Sequence, residues 1–125
     1  MPEHRTWHAI RELNRRVNDL GEPLALTDEI RALLRDTASD VAIASDTVAL
    51  ALQGNASATE LLREVAKRIR EGSWRLSRAL TEANRRQEAG DTDGARAALM
   101  ELLAVEVVPF YRELAQVQLD ALDEP

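Results

Sequence analysis

The stretch EANRRQEAGDTDGARAALMELLAVEVVPFYRELA, residues 82–115, decides how the chain is read. It holds a polar turn at Gly90-Asp91-Thr92-Asp93, then an apolar run with a proline inside it. Leu99, Leu102, Leu103, Val107, Phe110, Leu114, Val117 and Ala121 recur at three- and four-residue steps, the period of one helix face. The stripe keeps its phase through Pro109, which predicts a C-terminal helix kinked there. Because proline removes a backbone donor and disfavours helical angles at the preceding residue, a break at Val107-Val108 is the alternative. Two helical segments around a glycine turn form a hairpin, and the rest of the chain repeats the helical period.

Upstream, Leu61, Leu62, Val65, Ile69, Leu76, Leu80 and Ala83 share one face. They predict a long helix from about residue 58 to 89, with a bend allowed at Gly72-Ser73. Ser57-Ala58-Thr59-Glu60 has the spacing of a capping box and marks its start. Trp7, Ile10, Leu13, Val17 and Leu20 predict a first helix over Thr6 to Leu20, stopped by Gly21 and Pro23. Thr27, followed by Asp28 and Glu29, reads as the cap and acidic first turn of a second helix running to about Arg35. A break is expected near Thr37 to Asp40. The segment VAIASDTVALALQG is read as helical, with Ser45 capping Asp46 to Gln53 before Gly54. The expectation is an all-α bundle of five or six helices in a single domain over residues 1–125.

Composition agrees with that fold class. A 125-residue chain is long enough for one real core, and with only 3% aromatics that core must be aliphatic. With no cysteine, disulfides, thiolate metal sites and thiol nucleophiles are excluded. No segment approaches the about 20 apolar residues of a membrane span, and the start lacks a secretory apolar region, so a soluble, cytoplasmic protein without membrane contact is expected.

The net charge of −6 is unevenly spread. Six basic and ten acidic residues precede Arg63, eight and three lie from Arg63 to Arg86, and two and nine follow. An overall acidic chain argues against nonspecific nucleic-acid binding, which depends on neutralising phosphates. The basic block has a geometry of its own. At about 100° per residue, Arg63, Lys67, Arg70, Trp74, Arg78 and Arg85 fall in one sector, almost opposite the leucine stripe. Three readings of Trp74 stay open: a second helix covers it, a bend at Gly72 turns it inward, or it anchors a partner, since interface cores favour Trp and Arg.

Catalytic and cofactor chemistry finds little to work with. The only histidines, His4 and His8, form an i, i+4, i+8 ladder with Glu12 that could hold a divalent metal, but no second ligating segment accompanies them. No nucleophile elbow or phosphate-binding glycine loop is present. No catalytic residue, cofactor or metal is therefore expected, and a small metal-dependent enzyme on the histidine ladder is the least favoured reading.

The chain resembles two known families. Residues 76–110, with Ala83, the Gly90-Asp91 turn, Ala95 and Leu99, resemble one tetratricopeptide-like helical hairpin, although no second copy follows and Arg86 stands where that family has an aromatic. The phrases GEPL, RIREGS and AVEVVPFYRE, within a succession covering nearly the whole chain, resemble the DUSAM domain family of small paralogous myxobacterial proteins. That resemblance implies a helical domain in a bacterial paralogue set, with no activity or functional residue to carry over. The function expected is a non-enzymatic protein-protein interaction module. Its partner would be taken by the Arg63–Arg85 stripe with Trp74, or by the groove beside the Gly90 hairpin. An acidic immunity-type inhibitor of a basic toxin is the alternative, and a homodimer is a further expectation.

Overall fold

The computed structural model describes residues 5–123. Six α-helices account for most of them, and no strand occurs among the described residues. They are α1 (Arg5–Asn14), α2 (Asp28–Asp40), α3 (Ser45–Ala51), α4 (Asn55–Glu88), α5 (Thr92–Val105) and α6 (Pro109–Leu122). The protein is all-α, with one long helix. The chain divides into two compact units, residues 1–69 and 70–125, and α4 contributes to both.

In the first unit, α1 continues into a π-helical stretch, Arg15–Asp19, which places Trp7, Ile10, Leu13 and Val17 in the core. Leu20, expected on the same face, is exposed, because the wider π turn and the reversal at Gly21 carry it away. Thr27 caps α2 as predicted, its hydroxyl accepting the Ile30 N–H at 3.2 Å. The helix does not stop near Arg35. It runs to Asp40, because Leu34, Thr37, Ala38 and Val41 continue the core face at i, i+3, i+4 and i+7. The break falls at 41–44 instead, where Ala42 takes a left-handed conformation (φ 66°). The Arg68 guanidinium donates to the carbonyls of Val41 (2.9 Å) and Ala42 (3.2 Å), satisfying acceptors at the end of α2 that have no intrahelical partner.

Two expected caps are corrected. The residue before α3 is Ala44, without a side-chain cap, and Ser45 is already helical. α4 begins at Asn55, before the expected capping box. Ser57 sits inside the first turn and donates to the carbonyls of Ala51 (2.6 Å) and Gly54 (3.1 Å), while Glu60 pairs with Arg63. The local spacing suits a box, but helix start is set by which backbone groups are free, and those lie three residues earlier.

The second unit is built by α4 from residue 70, α5 and α6. Gly90 reverses the chain at φ 80°, a backbone conformation that favours glycine. Asp91 then caps α5 by accepting the Gly94 N–H at 2.8 Å, an interaction that contributes about 1 kcal/mol in typical helices. Ala83, Ala95 and Leu99 form a small core with Leu80, Ala98, Leu119 and Leu122 packed against it.

The proline breaks its helix rather than kinking it. α5 ends at Val105, residues 106–108 are extended, and Pro109 is the first residue of α6, where its missing N–H costs nothing. The break shifts the helical phase. Val108, Tyr111 and Ala115 are buried, whereas Val107 and Val117 of the predicted stripe are exposed. The α6 core face thus lies about one residue, or 100°, from where an unbroken helix would put it.

Candidate functional site

α4 shows no interruption at Gly72. The glycine serves packing. A Cβ there would lie 2.5 Å from Cδ2 of the Tyr111 ring and 2.9 Å from Oε2 of Glu106, so only glycine admits both against the helix. Glu106 is the residue that ends α5, and its side chain is wholly buried. Its Oε1 accepts from Arg75 Nε at 3.1 Å and its Oε2 accepts the Val108 N–H at 3.0 Å. Its backbone carbonyl accepts from Arg112 Nη1 at 2.8 Å. This carboxylate therefore holds the extended link before Pro109 onto α4, and each of its oxygens has a partner.

The neighbouring face of the same hairpin is different. Trp74 is 60% exposed, which rules out burial under a second helix or rotation into the core. The Arg78 guanidinium carbon lies 4.7 Å from the centroid of its ring, a cation-π contact. Together these two residues edge an open groove of about 590 Å³ between α4 and α5. Ser77, Ala79 and Ala98 give it small walls, Leu102 and Val105 an apolar floor and lip, and Glu82 and Glu101 acidic groups. Val105 is 61% exposed.

The predicted basic stripe is exposed throughout, as its helical phase requires, but it is not one site. Arg63 pairs with Glu60 and donates to Asn18 Oδ1 at 2.8 Å, in the first unit. Arg85 is bound to Glu82 at 2.7 Å, and Arg86 holds the same carboxylate at 2.8 Å. Arg85 and then Arg86 hold the Glu82 carboxyl below the usual carboxylate range. Lys67, Arg70 and Arg78 make no ion pair among the described residues. Only Trp74 and Arg78 of the stripe are brought together at the groove.

Glu101 and Val105 were not foreseen as site residues: they lie outside the stripe counted on α5, yet share the groove with Trp74 and Arg78. Their i, i+4 spacing was the available signal. The buried carboxylate of Glu106 was likewise missed, and its trace in the sequence is an acid standing just before the Val-Val-Pro break.

For the metal reading, His4 lies outside the described residues. His8 is exposed, and Glu12 accepts from Arg15 Nε at 3.2 Å, which, with that arginine's charge, lowers its pKa. No group of three or more His, Asp or Glu placed to hold a metal occurs among the described residues. None of the described helices is long and apolar enough to cross a membrane.

No curated protein and no solved structure matches the chain. A family model does, and it spans residues 5–122, from α1 through the Trp74 groove to the end of α6: the chain belongs to the family described as Protein of unknown function (DUF2379).

Proposed function

We propose that this protein is a non-enzymatic interaction module that binds a protein partner through the α4–α5 groove. The observation that carries the reading is the exposed Trp74 with Arg78 stacked on its ring at the edge of that groove. Burying a tryptophan's large apolar surface is favourable, and a chain that leaves one in water beside a cation that has no ion pair among the described residues has both elements of an interface anchor. Of the other basic residues of the stripe in this unit, Arg70 does not line the groove and Arg85 is held by Glu82. Membership of a set of small bacterial paralogues, which the DUSAM resemblance implies, fits an interaction role.

The test is affinity purification of the tagged full-length chain from its native cells, at low and high salt, beside Trp74→Ala and Arg78→Glu. The expected result is a stoichiometric protein, another copy of the chain included, that the unaltered chain retains and both variants lose. Equal retention by both variants would remove the groove from consideration.

A further inference from the structure

The groove carries one acid and one base that meet no counter-charge among the described residues. Arg78 on α4 and Glu101 on α5 both line it, and neither forms an ion pair among the described residues. Beside each stands an exposed apolar residue four positions away, Trp74 next to Arg78 and Val105 next to Glu101. The nearby acids and bases are already engaged: Arg75 with Glu106, and Glu82 with Arg85 and Arg86.

We infer that the occupant of this groove is a second copy of the same chain, bound about a two-fold axis parallel to the hairpin. The inference rests on the interaction reading above and names its partner. α4 and α5 run antiparallel around the Gly90 turn. A two-fold rotation about an axis along the groove lays α4 of one copy on α5 of the other, again antiparallel. Trp74 precedes Arg78 on the way up α4, and Glu101 precedes Val105 on the way down α5, so the antiparallel match sets Trp74 against Val105 and Arg78 against Glu101. The rotation makes each contact twice, as a self-complementary interface requires. The product is a four-helix packing of two hairpins, and Ala79 and Ala98 leave room for the backbones to approach.

Direct pairing of α4 with α4 about an axis through Trp74 would bring Arg70 against Arg78, placing like charges together. A purely acidic partner would leave Glu101 opposed by like charge. The mixed groove favours a mixed partner, and the groove itself is one.

The test is light scattering and sedimentation equilibrium of the purified full-length chain over a wide concentration range. The expected result is a reversible dimer, with Trp74→Ala and Val105→Asp monomeric over the same range and unchanged in helicity by circular dichroism. Arg78→Glu and Glu101→Arg should each weaken self-association at least about tenfold, since each turns two attractive contacts repulsive. Mixing these two variants should restore a dimer, because every cross-contact is then Glu against Arg. A chain that is monomeric throughout, a dimer indifferent to Trp74→Ala and Val105→Asp, or a mixture that fails to associate would overturn the inference. If the chain is monomeric yet still captures another protein through Trp74 in cells, the interaction reading survives and the second copy is excluded. If neither occurs, both fall.

Discussion

Arg75 and Arg78 lie about one turn apart on α4, and Glu101 and Glu106 lie little more than a turn apart at the end of α5. The first arginine meets the second glutamate inside the hairpin: Glu106 is buried, held by Arg75 and the Val108 N–H, beneath a glycine that admits the Tyr111 ring. The other two face outward into the groove with no ion pair among the described residues, beside an exposed tryptophan and an exposed valine. The same residue types at nearly the same height thus maintain the fold on one side and remain available on the other. The difference teaches that charge type alone does not mark a site. What marks it is whether the fold has already supplied the counter-charge.

This contrast can be broken experimentally. The largest effect is expected for Glu106→Ala, which leaves Arg75 and the Val108 N–H without their buried partner; a loss of about 3 kcal/mol should appear in urea denaturation. A loss below about 1 kcal/mol would mean that the link before Pro109 is held by other contacts. Gly72→Ala comes next. Alanine gains about 1 kcal/mol in helix propensity, but its Cβ at 2.5 Å from the Tyr111 ring forces repacking, so a net loss of about 1–2 kcal/mol is expected in the same measurement.

Thr37 sharpens the rule from the first unit. Its hydroxyl is buried without a hydrogen-bond partner among the described residues, the opposite of Glu106. Thr37→Val keeps the shape and removes the unpartnered oxygen, so stability should rise by about 1 kcal/mol, read as a higher denaturation midpoint. The smallest effect on stability belongs to the outer side. Measured at concentrations too low for self-association, Trp74→Ala should change the unfolding free energy of the monomer by no more than about 0.5 kcal/mol. A large loss on that substitution would show that Trp74 supports the fold and would dissolve the contrast.

Much of the fold was legible because helix periodicity is local. Trp7, Ile10, Leu13 and Val17, and Leu61, Leu62, Val65 and Ile69 on α4, lie in the core where their spacing put them. The Thr27 cap and the Gly90 turn were also readable, since each depends on a few adjacent residues. The misreadings share a cause. The end of α2, the start of α4 and the nature of the break at Pro109 depend on which backbone groups find partners elsewhere, such as Arg68 on the Val41 and Ala42 carbonyls or Glu106 on the Val108 N–H. Those partners are 26–27 residues away in one case and two in the other. A groove beside the Gly90 hairpin was an expectation, but only its α4 residues could be named beforehand, as the exposed sector containing Trp74 and Arg78.

By itself, the sequence determined that the protein is helical, that one helix is long, and that a tryptophan lies among arginines on its polar face, because a helix assigns directions to side chains every 100° without reference to anything else. It also placed the turn at Gly90. Tertiary structure alone decided that Arg75 is consumed by Glu106 while Arg78 meets no counter-charge among the described residues, that Glu101 and Val105 complete the groove, and that the α6 core face is displaced by the break before Pro109. These are outcomes of packing two helices at a particular height and rotation. A periodic pattern fixes neither quantity, since each helix carries its own stripe but not the register in which it meets its neighbour.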